Sequence, residues 1–365
     1  MKRVLQIVDC MDLGGIQAFI MNTYRGLAER GIQFDFLVFH ERKQFYENEI
    51  LSMGGKIFKL PARRESILKS RNALKDFYNA HPEYDVVHYQ TSSLSFLDPL
   101  EIACQQHVPV RIVHSHSTNA PGGKLHYYFH QWNKRKIHKI ANYYFACGEL
   151  AAKWMFSGSK CESKVQIINN GIDIEKFKFN ESVRTEVRAE LGIKNEYVIG
   201  HVGRFSQVKN HRFLIDIFEK ILIHSGKDFH PLLVLIGTGD LQSEIIELCR
   251  FKGLNDCVKF LGARNDVDRL LQAMDAFVLP SIYEGFPVAA IEAQAAGLPC
   301  FLSDSITQDA KLKTNAHLIS LNATADQWAN QIIENRNRVV DNNILLKKGY
   351  DLNTTLLQLE KVYLS

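Results

Sequence analysis

Short apolar runs alternate with amphipathic segments along almost the whole chain. The runs are rich in β-branched and aromatic residues, and this pattern predicts strands. In the first half they lie at 4–8, 34–39, 56–60, 85–89, 110–115 and 143–147. Segments with helical spacing lie between them, at 16–30, 43–53, 67–80 and 94–106. Strands that are apolar throughout, each followed by a helix, predict a parallel sheet covered on both faces.

A second series of strands and helices follows residue 173. Its predicted strands lie at 197–202, 231–237, 258–262, 276–280 and 299–302. Between the two series, Asn169-Asn170-Gly171 has the composition of a turn and a charged run follows it. The pattern therefore predicts an α/β fold with Rossmann-like domains over 1–169 and 170–342. Residues 343–365 are predicted to form a C-terminal helical segment that is able to return to the first domain.

The composition is that of a globular protein, with 46% hydrophobic and 23% charged residues. The seven cysteines are scattered and form no C-x-x-C pair, which disfavours a zinc or redox motif and favours a reducing, cytoplasmic compartment. Charge is unevenly spread: residues 1–165 carry 22 Lys and Arg against 15 Asp and Glu, and the remainder carries 22 against 25. This asymmetry either favours an anionic partner for the first half or has no functional meaning.

The loop after the predicted strand at 197–202 carries Gly203, Arg204 and Lys209. A planar guanidinium and a mobile ammonium at the carboxyl end of a strand are suited to a diphosphate. The next strand is followed by Gly237-Thr-Gly239, a shortened dinucleotide fingerprint. Because Gln242 takes the place of its third glycine, this loop disfavours an NAD site.

The most informative segment runs from 280 to 299. Glu284 lies in a loop, Pro287 is predicted to be the first helical residue, and Glu292 follows within the helix. The two carboxylates are eight positions apart. A helix N-terminus can bind a phosphate, while carboxylates accept hydrogen bonds from hydroxyl-rich parts of a ligand.

This segment resembles the E-x7-E signature of the family 4 retaining glycosyltransferases. That family has the GT-B architecture, in which two Rossmann-like domains with parallel sheets face each other across an interdomain cleft. The likeness is strongest to bacterial enzymes of exopolysaccharide and capsule biosynthesis. The other landmarks follow the family's order: Gly14-Gly15, His114-Ser-His116, Asn170-Gly-Ile-Asp173, Gly203-Arg204 with Lys209, and Gly237-Thr-Gly239.

The resemblance implies a metal-independent transfer of a hexose or N-acetylhexosamine with retention of configuration. The donor would be a nucleotide diphosphate sugar, UDP-linked, and the acceptor a glycan or a lipid-linked glycan. It implies no cofactor and no side chain that acts as general base. The implied catalytic residues are Glu284 at the transferred sugar, Arg204 and Lys209 at the diphosphate, and His116 at the sugar–phosphate junction. His114 is expected to point into packing.

The resemblance also implies a set of donor-binding residues. Glu292 is expected to accept hydrogen bonds from the ribose, and backbone N–H groups near Glu284 are expected to lie close to the sugar. The donor-binding set is Gly15, Gly203, Gly237, Gly285, Phe286, Val288 and Glu292.

Two further motifs each have two interpretations. Asp266-Val-Asp268 could hold a metal, but acidic residues after a strand more often begin a helix. Residues 124–139 combine five Lys or Arg with four aromatic residues and no acid. They indicate either peripheral contact with an anionic membrane, at the inner face of the plasma membrane, or an ordinary amphipathic helix with a basic solvent face. No recognised nucleic-acid-binding fold accompanies them.

Two alternatives to a glycosyltransferase stay open on the sequence. A nucleotide-sugar epimerase of related fold would bind the same donor but isomerise it without an acceptor. A non-catalytic glycosyltransferase partner would keep the fold, although a binding module has no need of all four of Arg204, Lys209, Glu284 and Glu292.

Overall fold

The computed structural model describes residues 1–12, 14–118, 123–226, 229–284 and 286–365. The chain forms two compact units: unit 1 comprises Met1–Gly171 and Leu352–Ser365, and unit 2 comprises Ile172–Asp351. The observed boundary thus lies two residues beyond the predicted one, and the segment that joins unit 1 begins at 352 rather than 343. The Ile172 N–H donates to the Tyr350 carbonyl at 2.9 Å, which ties the two ends of unit 2 together.

Unit 1 is built on a seven-stranded sheet in the order β3-β2-β1-β4-β5-β6-β7, with all neighbouring strands parallel. Its strands are β1 Lys2–Ile7, β2 Ile32–Val38, β3 Ile57–Lys59, β4 Val86–Thr91, β5 Val110–Ser115, β6 Tyr143–Ala146 and β7 Gln166–Ile167. Its helices are α1 Gly15–Ala28, α2 Glu47–Ser52, α3 Ile67–Ala80, α4 Asp98–Gln105, α5 Lys124–Lys134, α6 Glu149–Phe156 and, at the end of the chain, α15 Leu352–Tyr363.

Helix positions in unit 1 follow from caps and close packing. The helix predicted at 67–80 is observed with these bounds, because the Ser66 side chain accepts from the Lys69 N–H at 3.2 Å and caps it. The C-terminal helix α15 packs against α1, where Gly26 leaves room for the Leu356 side chain. Tyr363, the last residue of α15, is fully buried.

Unit 2 is built on a six-stranded parallel sheet in the order β10-β9-β8-β11-β12-β13. Its strands are β8 Tyr197–Val202, β9 Pro231–Ile236, β10 Val258–Phe260, β11 Ala276–Leu279, β12 Cys300–Ser303 and β13 Ala316–Ile319. Its helices are α7 Ile174–Phe177, α8 Glu181–Glu190, α9 His211–His224, α10 Gln242–Phe251, α11 Val267–Ala273, α12 Val288–Ala295, α13 Ala325–Glu334 and α14 Asn343–Lys347.

Both sheets have the strand order of a Rossmann fold, so the prediction of two Rossmann-like domains with parallel sheets is confirmed. The strand order reverses between β1 and β4 in unit 1 and between β8 and β11 in unit 2. Ligands of open parallel sheets bind at the carboxyl ends of the strands at such a reversal. The loops that follow these four strands are therefore where functional side chains are expected.

Candidate active site

Two loops of unit 2 meet at the carboxyl edge of the sheet, where β8 and β11 lie side by side. The loop over 203–210 follows β8 and the loop over 280–287 follows β11. The Ile282 N–H donates to the Val208 carbonyl at 2.8 Å, and the Asn210 side chain donates to the Pro280 carbonyl at 3.1 Å. Asn210 adopts the left-handed conformation with φ of 56°, which asparagine tolerates well. These contacts fix the two loops relative to each other.

The most prominent polar contact between these loops is an ion pair of Lys209 and Glu284. The Lys209 Nζ lies 2.6 Å from the Glu284 Oε1, and the Ser281 hydroxyl donates to the same oxygen at 2.7 Å. Their side chains are only 19% and 13% exposed, so solvent screens the pair weakly. The structure thus brings together two predicted catalytic residues that are 75 positions apart in the sequence.

Arg204 lies in the same loop as Lys209 but is held far more loosely. Its side chain is 60% exposed, and its Nη2 lies 3.4 Å from an oxygen of the exposed Asp240 carboxylate. An exposed pair at this distance contributes little to stability. Its guanidinium is therefore available to an anionic ligand at little energetic cost.

The glycines predicted to bind the donor in this region serve close backbone packing. A Cβ added to Gly237 would collide with the Gly203 carbonyl, and one added to Gly239 would collide with the Phe205 carbonyl. Gly237 also has φ of 132°, a conformation that favours glycine. Gly203 and Gly237 therefore let the loops after β8 and β9 approach each other, and ligand contact by either stays a prediction.

The segment after Glu284 leads into helix α12, which begins at Val288. Pro287 is the N-cap of this helix and not its first helical residue, because its ψ of 82° lies outside the helical region. The prediction for Pro287 was therefore wrong by one position. The Phe286 ring is buried and stacks on Tyr350 with ring centroids 5.4 Å apart. Val288 is half-buried at the start of the helix. Gly285 lies outside the described residues.

Glu292 lies in α12 and is partly exposed. Burial raises the pKa of Glu292 to about 7, against the opposing effect of the positive charge of Lys176. Within the part of the chain that the structure describes, no hydrogen bond or ion pair engages its carboxylate. Lys176 itself is bonded to Asp268 at 3.2 Å. Glu292 is therefore a carboxylate with unused acceptor capacity and with an ionisation that changes near neutral pH.

The remaining candidates, Gly15 and His116, belong to unit 1. Gly15 begins helix α1, and a Cβ added to it would meet nothing within 4 Å, so the backbone there is open to approach. His116 directly follows β5 and is only 7% exposed, with its Nε2 lying 2.6 Å from the Gln90 Oε1. Its Nδ1 is buried without a hydrogen-bond partner. His114 is fully buried, as predicted, and its ring centroid lies 4.1 Å from that of His116.

Asp266-Val-Asp268, the first motif with two open interpretations, lies at the start of a helix. Asp266 directly precedes helix α11 and binds Arg264 at 2.6 Å, so the helix-start interpretation is confirmed. Arg264 lowers the pKa of Asp266. Over residues 1–12, 14–118, 123–226, 229–284 and 286–365, no cluster of three His, Cys, Asp or Glu has the arrangement of a metal site.

Helix α5 presents mainly aromatic and aliphatic side chains to solvent, with Lys124 exposed at its first position. Leu125, Tyr128 and Trp132 are all more than half exposed. By contrast, Lys134 is buried with its ammonium on the Trp154 carbonyl at 3.1 Å, and Lys136 binds Glu101. Lys134 is therefore withdrawn from solvent, whereas the Lys136 side chain is 40% exposed in its ion pair. None of the described helices is long and apolar enough to cross a membrane.

Comparison with known proteins gives two family matches that divide the chain as the units do. Residues 13–176 match the profile described as Glycosyltransferase Family 4, and residues 183–336 match that of Glycosyl transferases group 1. EpsF of Bacillus subtilis, named as a presumed glycosyltransferase, is 36% identical over 99% of this chain and 96% of its own length.

Two further relatives are more distant or more partial. The UDP-Gal:alpha-D-GlcNAc-diphosphoundecaprenol alpha-1,3-galactosyltransferase of Escherichia coli is 33% identical over 50% of this chain and 46% of its own. Among solved structures, Alr3699/HepE of Anabaena in complex with UDP and glucose superposes with a TM-score of 0.77 at 19% identity, over 99% of both chains. At that identity the structural match supports the fold.

Proposed function

The chain belongs to the family 4 glycosyltransferases, and from that premise we propose that it moves a hexose or N-acetylhexosamine from a nucleotide diphosphate sugar to a glycan or lipid-linked acceptor. The donor is UDP-linked, configuration is retained, and the product is a surface polysaccharide. The Escherichia coli relative supports this choice, because it is named for a UDP-galactose donor and a diphosphoundecaprenol-linked acceptor.

The observation that carries the proposal is the Lys209–Glu284 pair at the carboxyl edge of the unit 2 sheet, with Arg204 in the adjoining loop. An ammonium has three donor hydrogens, so Lys209 can keep Glu284 in place while it binds a donor phosphate. Glu284, held by Lys209 and Ser281, retains acceptor capacity for a hydroxyl of the transferred sugar. One cation thereby links the leaving group to the residue that positions the sugar.

In the proposed reaction the bond between the anomeric carbon and the diphosphate oxygen breaks, and the acceptor oxygen bonds on the same face. The sugar passes through an oxocarbenium-like state. Lys209 and Arg204 stabilise the negative charge on the departing nucleoside diphosphate, a preorganised electrostatic role. The acceptor proton passes to a donor phosphate oxygen, so no side chain is assigned as general base. Because two cations neutralise the leaving group, we propose that the reaction requires neither metal nor cofactor.

The other assigned residues complete the donor site. Glu292 accepts hydrogen bonds from the ribose hydroxyls, for which its unused acceptor capacity is suited. Gly15 offers an open stretch of backbone, and His116 offers its unpartnered Nδ1 to the donor. Phe286, whose backbone N–H lies close to the sugar in this proposal, belongs to the donor-binding set together with Gly285 and Val288.

The proposal is tested with a panel of UDP-, GDP- and ADP-sugars, each incubated with and without a lipid-linked glycan acceptor and with and without EDTA. We expect nucleotide release from a UDP-hexose or UDP-N-acetylhexosamine that requires the acceptor and is insensitive to EDTA. Nucleotide release without glycan product would instead indicate hydrolysis, and interconversion of donor sugars would indicate an epimerase. Absence of turnover with every pair would favour a non-catalytic partner.

We further propose that helix α5 holds the protein at an anionic membrane, on the cytoplasmic face where lipid-linked acceptors are found. Its exposed aromatic face suits the bilayer interface, and the exposed Lys124, Arg135 and Lys139 suit anionic headgroups.

Replacing Leu125 and Trp132 with serine is expected to lower partitioning onto phosphatidylglycerol vesicles by at least about a hundredfold, because each buried apolar side chain contributes about 1.5–3 kcal/mol and two are removed. Co-sedimentation of the protein with the vesicles measures this partitioning. The matched control is Phe251→Ser, which removes a side chain that is 90% exposed in unit 2 and is expected to change nothing. Wild-type binding by the double variant would contradict the proposal.

A further inference from the structure

A chain of buried hydrogen bonds connects His116 to the C-terminal helix across one face of the unit 1 sheet. The His116 Nε2 lies 2.6 Å from the Gln90 Oε1, and the Gln90 Nε2 donates to the Gln6 Oε1 at 2.9 Å. The Gln6 Nε2 then donates to the Tyr363 hydroxyl oxygen at 3.3 Å. Each of these four side chains is at least nine-tenths buried. The path therefore joins four segments of the chain: β1, β4, the residue after β5, and α15.

The chain continues beyond Tyr363 to two further histidines. The Tyr363 hydroxyl oxygen lies 2.6 Å from the His88 Nδ1, and the His88 Nε2 lies 3.2 Å from the His114 Nδ1. The strand register places these groups on one face, since Gln6 pairs with His88 and Gln90 pairs with His114. Burial lowers the pKa of His88 and of His114 well below the ordinary value, so both rings are neutral.

The amide orientations of Gln6 and Gln90, together with the single hydroxyl proton of Tyr363, give every bond in this chain one direction. Because Gln6 donates to its oxygen, the proton points to His88, whose other ring nitrogen must then donate to His114. On the other side, the Gln6 and Gln90 carbonyls accept, so the His116 Nε2 carries the proton. Burial lowers the pKa of His116 to about 3, so this ring is neutral and its Nδ1 is a bare acceptor.

We propose that Tyr363 is a positioning residue that holds His116 in its Nε2–H tautomer through Gln6 and Gln90. The buried and unpartnered Nδ1 is thereby kept as a hydrogen-bond acceptor. The importance of that acceptor for turnover rests on the proposed function. The assignment of the His116 tautomer does not depend on the proposed function.

The test replaces Tyr363 with phenylalanine, which removes the hydroxyl and keeps the ring that packs against Phe34. Long-range ¹H–¹⁵N spectra of histidine-labelled protein distinguish protonated from bare ring nitrogens. We expect His116 in the wild type to be Nε2–H only, and in Y363F to become a mixture of tautomers. We expect kcat to fall about tenfold with little change in the KM for the nucleotide-sugar donor, because the variant loses the fixed orientation of the hydrogen-bond-accepting Nδ1 of His116.

Two further variants separate this role from a structural one. Tyr78→Phe removes another buried phenol, whose hydroxyl donates to the Pro99 carbonyl at 3.1 Å in the same unit. It is expected to leave the His116 tautomer and kcat unchanged. Gln6→Met interrupts the path to His116 but keeps the Tyr363–His88 bond, and is expected to reproduce the Y363F result at His116 alone.

The proposal is overturned if His116 carries its proton on Nδ1 in the wild type, or if its tautomer is the same in Y363F and Q6M as in the wild type. A changed tautomer with unchanged kcat would overturn the positioning role. If the wild-type protein turns over no donor at all, the proposed function fails, while the spectra still decide whether Tyr363 sets the tautomer.

Discussion

Lys209→Ala is expected to lower kcat by about 10²–10³-fold, the usual effect of removing one preorganised group that stabilises developing charge. The variant loses the cation that faces the departing diphosphate. It also leaves Glu284 with Ser281 as its one hydrogen-bond donor among the described residues, so the sugar-positioning carboxylate is no longer fixed. The measurement is single-turnover transfer with saturating donor and acceptor, which separates chemistry from binding.

The matched control for this variant is Lys252→Ala. The Lys252 side chain is 19% exposed, as that of Lys209 is, and it also forms ion pairs, with Asp216 at 3.1 Å and Glu219 at 2.6 Å. It follows helix α10 and precedes β10, so it belongs to the amino-terminal side of the sheet. Both variants lose a partly buried ion pair and are expected to lose about 1 kcal/mol of stability. Equal loss of activity in the two would refute a specific role for Lys209.

The sequence predicted the fold well where the hydrophobic pattern is long and regular. The eleven predicted strands are all observed, because each combines an apolar run with a following helix. Two strands were missed, β7 with two residues and β13 with four, and both lie at a sheet edge. An edge strand needs fewer apolar residues than a central one. The hydrophobic pattern of such a short segment is therefore too weak to identify it as a strand.

The candidate site was predicted as residues but not as an arrangement. Lys209 and Glu284 were both identified, yet their contact depends on β8 lying beside β11, a neighbour three strands later in the chain. No local pattern encodes that strand order. For the same reason, the steric dependence of Gly237 on the Gly203 carbonyl could not be foreseen, since it requires the loops after β8 and β9 to touch.

The buried polar chain of unit 1 was missed although a signal for it exists. Gln6, His88, Gln90 and His114 interrupt strands whose neighbours are apolar, and in β4 they recur at alternate positions. Polar side chains on one face of a central strand are costly unless they are hydrogen-bonded to each other. Such a recurrence predicts a network, but its connection to Tyr363 depends on where the last helix packs.

Glu292→Gln is expected to weaken donor binding while it stabilises the protein at alkaline pH. A hydrogen bond to a charged group contributes about 1.5–3 kcal/mol, so the donor KM should rise about 10- to 100-fold. The KM of the wild type for the donor should fall as pH rises through about 7, where Glu292 becomes ionised. In the variant that pH dependence should be absent, because glutamine does not titrate.

The stability effect of this variant has the opposite sign and a defined pH window. In the folded protein Glu292 has a pKa of about 7, above its ordinary value, so the native state holds this proton more tightly than the unfolded chain. The free energy of unfolding therefore falls as pH rises from about 4.5 to about 7, by at most about 3 kcal/mol before allowance for the partial exposure of the carboxylate.

We therefore expect E292Q to have the same Tm as the wild type at pH 5 and a higher Tm at pH 8, measured by calorimetry without ligand. The exposed Glu186, which binds Arg269 at 3.0 Å, provides the control variant Glu186→Gln, with no gain at pH 8. A Tm difference that is the same at both pH values would show that Glu292 is ionised throughout. A raised KM for the donor together with a gain in stability would mean that the Glu292 carboxylate destabilises the folded protein but strengthens donor binding.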